Sequence, residues 1–261
     1  VPIGVIRKAR AALYAAYFFL MTVAFGLAGL VVRGFAPSLA LPLARGWVAA
    51  VLAGLRPICA IHVEVTGLHL LPAEGPALLA SQHQSEFDTL IWMRLLRGPS
   101  YILKQELTRI PLFGPMLLAA GMIPVDRSAG AAALRRLIED TRSACAAGRQ
   151  IVIFPEGTRV PPGQSVKLHP GIAAISSQLG LPVYPVATDS GRLWTRDRLG
   201  KHPGTIHIAI GPPIQAGMSR PGMLACIQAF WQRTEEAGFE PVDKSVGQPF
   251  PALSEQVARR C

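Results

Sequence analysis

Ala77-Leu78-Leu79-Ala80-Ser81-Gln82-His83-Gln84-Ser85-Glu86-Phe87-Asp88 is the stretch on which the fold is decided. Residues 77–80 form a short apolar run of the kind that fills a buried strand, while residues 88–96 have a helical texture. The chain therefore passes from strand to helix through a run of small and polar residues that contains His83. The same alternation extends outward in both directions. Upstream, Ile61, Val63 and Val65 alternate with polar neighbours and read as a strand ending at Gly67. Downstream, strands are expected at 101–103, 123–125, 151–154, 182–186 and 205–210. Helices are expected at 129–147, 171–179 and 221–237. The first of these carries Leu134, Leu137 and Ile138 at helical spacing, with Gly148 as its C-cap. Strands alternating with helices give an α/β domain whose mixed central sheet is flanked by helices.

The N-terminal region has a different texture. No charge occurs from 11 to 32, a stretch that as a helix would run ~33 Å, about the thickness of a hydrocarbon core. Arg7, Lys8 and Arg10 precede it and Arg33 follows. A second apolar stretch, 35–55, is interrupted by Pro37, Pro42 and Arg45 and reads as an interfacial helix. Together they form a two-helix membrane-associated motif, either a hairpin dipping into one leaflet or a true crossing. A cleaved signal peptide is the rival reading; the apolar run is long for one, and no convincing small-x-small cleavage site accompanies it. The division expected is an anchoring segment at 1–56, a globular domain at 57–237 and a polar, proline-containing tail at 238–261.

Composition narrows the function classes. Of the 261 residues half are hydrophobic and only 16% are charged, yet the formal net charge is +10. With an isoelectric point near 10.1 and a mean hydropathy of +0.34, the chain favours an anionic partner. The apolar N-terminus makes that partner a bilayer rather than nucleic acid. Cys59, Cys145, Cys226 and Cys261 are scattered without a Cys-x-x-Cys pair, so neither a zinc site nor a disulfide framework is indicated.

Two elements carry chemistry. Within one continuous helix the five positions from His83 to Asp88 correspond to about 500° of rotation, which places the side chains on different faces. They meet only if His83 lies in the loop and Asp88 in the helix's first turn, with Ser85 as a plausible N-cap. Asp88 then accepts from one imidazole nitrogen, and the other is available to take a proton. On spacing alone, a structural histidine fits as well as a catalytic pair. No Gly-x-Ser-x-Gly nucleophile motif is present, so a base here acts directly on a substrate hydroxyl. The second element, Phe154-Pro155-Glu156-Gly157-Thr158-Arg159, follows an apolar run. A glycine beside a threonine hydroxyl and an arginine fork suits a phosphate group; a surface loop with a Glu–Arg pair suits the same letters. Between them Lys104 to Arg127 reads as a helix between two strands, and Val183-Tyr184-Pro185-Val186 as an apolar strand that helps wall a pocket.

In this order and at these separations the four elements resemble those of the glycerolipid acyltransferase family, most closely the 1-acyl-glycerol-3-phosphate acyltransferases. The resemblance covers roughly 64–210 and rests on His-x4-Asp combined with an intact Phe-Pro-Glu-Gly-Thr-Arg. It implies that His83 is the general base on the acceptor hydroxyl and Asp88 its orienting partner. It also implies that Glu156, Gly157, Thr158 and Arg159 bind the acceptor phosphate, with Arg127 and Lys104 as further candidates, and that the fourth block shapes the acyl-donor site. The acceptor is then a lysophospholipid, 1-acyl-glycerol-3-phosphate giving phosphatidic acid. The donor is an acyl-CoA or acyl carrier protein thioester; no metal or bound cofactor is required. The location is the cytoplasmic face of the inner membrane. Two departures stand out: Tyr184 precedes Pro185 where the family usually has Val-Pro-Val, and His169 precedes Pro170-Gly171 where members often carry a basic residue, with Lys167 two positions earlier. Other readings are acylation of a different lyso-acceptor such as a lyso-ornithine lipid, a thioesterase in which the base activates water, and a basic membrane-tethered binding module without catalysis.

Overall fold

Short apolar runs of period two become the strands of one sheet in the computed structural model, which describes residues 3–110, 113–126, 130–197 and 199–239. Arg127, Cys261 and residues 240–261 of the expected tail lie outside these. The strands are β1 (Ile61–Thr66), β2 (Ala77–Ser81), β3 (Pro99–Lys104), β4 (Ile123–Val125), β5 (Gln150–Ile153), β6 (Val183–Thr188) and β7 (Gly204–Ile210). Their order is β1-β7-β6-β2-β5-β3-β4. Every neighbouring pair is parallel except β6 and β7, so the sheet is mixed as expected.

Both faces of the sheet are covered, and the alternation along each strand decides which residue goes where. Leu79, Val152, Tyr184 and Val186 join one apolar cluster. Leu78, Ala80, Ile151, Ile153 and Val183 join the other. The second cluster is closed by α5 (Gly130–Ala146), α6 (Gly171–Leu179) and α7 (Arg220–Glu236), through Leu137, Ile172, Met223 and Trp231. The first is closed by α3 (Phe87–Leu95) and by the N-terminal pair α1 (Ile3–Phe35) and α2 (Ala40–Ala53), with α4 (Phe113–Ala119) alongside.

The N-terminal helices depart from expectation in two ways. Helix α1 begins at Ile3 and so includes Arg7, Lys8 and Arg10, because arginine, lysine and alanine are good helix formers and nothing there breaks the ladder. Helix α2 is unbroken after a 3-10 turn at Pro37–Leu39; Pro42 falls in its first turn, where a missing N–H is harmless. One side of α2 is not free to lie in an interface, since Ala40, Val48 and Val51 are buried in the first apolar cluster. Tyr14 hydroxyl donates to the Val51 carbonyl at 3.1 Å and Tyr17 hydroxyl to the Ala50 carbonyl at 2.6 Å, pinning α1 to α2. Tyr14 also meets Trp194 edge-on at 5.6 Å between ring centroids, which docks the pair on the α/β body. The opposite face of α1 exposes Leu13, Phe19, Leu20, Val23 and Leu27. Gly4–Phe35 and Pro37–Cys59 are each long and apolar enough to cross a membrane.

Candidate active site

Strands β2, β5 and β3 are parallel neighbours, so their C-terminal ends open on one edge of the sheet, where ligands of open α/β sheets bind. The register pairs Ala80 with Ile153. Three residues beyond each partner are His83 and Glu156, so the two motifs meet level. His83 N–H donates to Glu156 Oε2 at 2.6 Å, and the His83 carbonyl accepts from Val160 N–H at 2.7 Å. The main chain of His83 is thus clamped by Glu156 within the second motif and by Val160 just after it. Its imidazole stacks on Phe154 with ring centroids 4.4 Å apart and an interplanar angle of 29°.

Asp88 stands in the first turn of α3, the placement that the five-residue spacing demands. Its Oδ2 accepts from Gln84 N–H at 2.7 Å and Ser85 N–H at 2.8 Å, which folds the intervening loop back on the helix. The same oxygen lies 3.6 Å from His83 Nδ1, which has no closer partner among the described residues. That separation is slightly longer than a hydrogen bond, as catalytic contacts commonly are before substrate binds. Asp88 is 2% exposed and His83 16%, so the carboxylate is sealed while one side of the ring remains open. Ser85 is not the N-cap. Glu86 takes that position, while Ser85 Oγ accepts from Phe87 N–H at 3.2 Å and pairs with Ser190 Oγ at 2.9 Å.

His83, Lys104, Gly157, Thr158 and Arg159 line one cavity of about 490 Å³, of the size of ordinary ligand pockets. Its deeper wall is apolar, with Trp47 and Val48 from α2, Leu90 and Met93 from α3, and Met116 and Leu117 from α4. Gly157 has φ +70°, a conformation that side-chain-bearing residues seldom adopt, and this turns the loop so that Arg159 comes back to the mouth. Lys104 is exposed at the end of β3. Arg127 lies outside the described residues.

Two expected site elements sit apart from the cavity. Glu156 does not face the cavity with its neighbours. It is buried, turned inward onto the His83 amide, and burial pushes its carboxyl up to about 8 against the pull of that hydrogen bond and with Asp88's charge adding to the rise. Its Oε2 is taken by the His83 main chain, and it does not line the cavity that Gly157, Thr158 and Arg159 share. The fourth block, Val183 to Val186, is also absent from the described cavity lining. It runs as the buried centre of β6, and the chain just beyond it holds the first motif. Thr188 N–H donates to Gln82 Oε1 at 3.0 Å and Gly191 N–H to Gln84 Oε1 at 3.1 Å.

Glu86 was not singled out from the sequence. Its Oε1 accepts from Arg159 Nη1 at 2.5 Å and its Oε2 from Trp194 Nε1 at 2.8 Å, so it holds the arginine fork beside the histidine. An acidic residue inside the His-x4-Asp stretch was the available signal, but its partners are 73 and 108 positions away. No cluster of three or more His, Cys, Asp or Glu able to hold a metal occurs among the described residues.

Comparison with known proteins finds similarity to acyltransferases. A family model described as Acyltransferase matches residues 62–189. A Pseudomonas aeruginosa protein named 1-acyl-sn-glycerol-3-phosphate acyltransferase is 34% identical over 210 residues, covering 79% of each chain. The human 1-acyl-sn-glycerol-3-phosphate acyltransferase alpha is 30% identical over 137 residues, 52% of this chain and 48% of its own length. The crystal structure of a 1-acyl-sn-glycerophosphate acyltransferase from Thermotoga maritima superposes with a TM-score of 0.73 at 22% identity, covering 91% of this chain and all of that one, which supports the fold.

Proposed function

The chain belongs to the acyltransferase family, and from that premise we propose that it moves an acyl group from a thioester to the free hydroxyl of 1-acyl-glycerol-3-phosphate, giving phosphatidic acid. The observation that carries the reading is that His83 and the Arg159 fork line the same largely apolar cavity of about 490 Å³. The acceptor hydroxyl attacks the thioester carbonyl carbon while His83 Nε2 takes its proton. Asp88, facing Nδ1, fixes the tautomer and favours the imidazolium. The tetrahedral intermediate collapses with cleavage of the carbon–sulfur bond, and the imidazolium returns its proton to the departing thiolate. A positioned base of this kind contributes ~10²–10⁴-fold.

Arg159 and Lys104, with Gly157 and Thr158 between them on the rim, hold the acceptor phosphate, and Arg127 is a further candidate. Gripping a group remote from the reacting carbon keeps the hydroxyl near the carbonyl. Glu156 serves as a positioning residue through the His83 amide. The apolar wall takes the acyl chain of the donor, coenzyme A or acyl carrier protein thioester alike. Residues 1–56 are the anchor and 57–237 the catalytic domain, with 238–261 a tail, on the cytoplasmic face of the inner membrane, where a lysolipid reaches the mouth without leaving the bilayer.

The test is purified full-length protein in detergent, with an acyl-CoA and an acceptor panel of lysophosphatidic acid, lysophosphatidylcholine and lyso-ornithine lipid, scored by thiol release and lipid mass spectrometry. Lysophosphatidic acid is expected to give the highest kcat/KM and His83→Ala to lower turnover ~10²–10⁴-fold. Preference for an acceptor without the phosphate monoester overturns the substrate assignment. Thiol release without a lipid product points to the thioesterase.

A further inference from the structure

A second cavity, about 120 Å³, lies where the start of α1 meets the α/β body, beside Trp194 through Lys201, and shares no lining residue with the catalytic cavity. Arg7, Arg10 and Lys201 line it, and no carboxylate does. At ~30 Å³ per water it has room for about four waters or one phosphate group.

Lys201 is the informative member. It is 6% exposed, and its ammonium makes no hydrogen bond to a described residue; it rests 4.4 Å over the Trp194 ring. The carboxylates that act on it from further off, Glu86 and Asp197, are otherwise engaged. Glu86 accepts from Arg159 and Trp194, and Asp197 Oδ1 accepts from the Leu199 amide. A largely buried ammonium with no protein acceptor is best satisfied by an anion in the cavity it lines. Burial does pull the Lys201 ammonium below its usual range, in line with an incomplete site.

The two arginines are set in place beforehand. Arg10 Nε donates to the Ile58 carbonyl at 2.5 Å, and Arg7 Nη1 lies 3.2 Å from His202 Nδ1. Each contact uses one of five guanidinium donors, and the remainder suit a tetrahedral oxyanion. Lipid rather than solute is indicated by the flanks. Ile6 is 48% exposed and Leu13 60% exposed, and both continue into the exposed apolar face of α1.

We infer that Arg7, Arg10 and Lys201 form an anion site, distinct from the catalytic mouth, that takes the phosphate of an anionic phospholipid whose chains lie along α1. The bilayer source of that phosphate rests on the membrane-associated reading of α1; the anion site itself does not.

The experiment uses full-length protein in a non-ionic maltoside detergent, with dihexanoyl-phosphatidylglycerol and inorganic phosphate as separate probes. Thermal unfolding and Trp fluorescence titration are read for wild type, Lys201→Met, Lys201→Arg and Arg33→Gln, the last altering the opposite end of α1. The catalytic clamp is intact in all four, so differences report the second site. Phosphatidylglycerol is expected to raise the Tm of wild type, Lys201→Arg and Arg33→Gln, and to bind Lys201→Met at least ~10-fold more weakly. Lys201→Met removes a largely buried charge that sits beside two arginines with no carboxylate in the lining, so its ligand-free Tm is expected to match or exceed wild type, which keeps misfolding from hiding the answer. Inorganic phosphate acting as well as the lipid supports the anion site and overturns the lipid source. No shift in wild type with either probe, or an equal shift in Lys201→Met, overturns the site.

Discussion

The amide of His83 and the carboxyl of Glu156 are joined at 2.6 Å because β2 and β5 bring their ends to the same level. The carboxyl is buried, and its titration is displaced from 4.5 to about 8. The folded state therefore favours the protonated acid more than the unfolded chain does. Its contribution to stability is complete below pH 4.5, falls as pH rises from 4.5 to about 8, and changes no further above. Glu156→Gln keeps an amide oxygen for the His83 N–H and cannot ionise. Its Tm is expected to lose less than wild type between pH 5 and 8, as calorimetry at several pH values will reveal. Activity near neutral pH should be largely retained. Glu156→Ala leaves the His83 amide without its acceptor and should lose ~1–3 kcal/mol of stability with a marked fall in kcat. Parallel pH–Tm curves for wild type and Glu156→Gln would remove the argument.

His83→Ala should lower kcat by ~10²–10⁴-fold with little change in Tm, since the ring is partly exposed and its main-chain bonds remain. Asp88→Ala differs. It removes the acceptor of two buried amides, Gln84 and Ser85, as well as the partner of the ring. A loss of ~1–3 kcal/mol or more in denaturant unfolding should accompany the kinetic defect. The two variants thus separate a residue that acts from one that acts and also folds the loop.

Arg159→Ala should behave in the opposite sense to Asp88→Ala. The Arg159–Glu86 pair has side chains 39% and 52% exposed, and such pairs contribute about 0–1 kcal/mol to stability. Unfolding should scarcely change. The KM for lysophosphatidic acid should rise at least ~10-fold, in keeping with the loss of a charge-assisted phosphate contact. Glu86→Gln loosens the fork without removing it and should fall between. An Arg159→Ala enzyme with unaltered KM and reduced kcat would assign the arginine to another task.

Met116 lines both the main cavity and a neighbouring apolar groove of about 350 Å³ between α1 and α2. Its side chain lies 3.7 Å from where a Cβ on Gly29 would sit, so α1 backs it closely. Met116→Ala should open the cavity toward the groove and move the preferred acyl chain to greater length. Met116→Trp should shorten it. Competition between acyl-CoA donors, read by product mass, checks both, and an unchanged chain profile in each variant would place the acyl chain elsewhere.

Much of this site was legible because it is local. The strand, loop and helix of residues 77–95 follow one another along the chain, and the distance from His83 to Asp88 by itself forces the loop-and-first-turn arrangement. Residues 154–159 follow β5 for the same reason. What stayed hidden depends on register and on distant elements. Nothing in the letters says that Ala80 pairs with Ile153, so the turn of Glu156 onto the His83 amide is not visible in the sequence. The Trp194–Glu86–Arg159 chain and the contribution of Trp47 and Val48 to the cavity wall join segments that only the assembled sheet and helices bring together. Tyr184 looked like pocket wall because a buried apolar strand and a pocket lining share a composition. Helix α2 looked broken because Pro37 and Pro42 were counted without the first-turn exemption.

The double clamp on the His83 main chain has a thermal consequence. A catalytic group on a free loop loses its aim by local fluctuation well before the body of the protein melts. Here the amide and carbonyl of the histidine are tied to the segment that extends β5, in the middle of the sheet. To disorder the base, the central parallel strands β2 and β5 must separate, an opening close in free energy to global unfolding. On heating, loss of turnover and loss of the fold should then coincide, and the amide proton of His83 should be among the slowest to exchange with solvent.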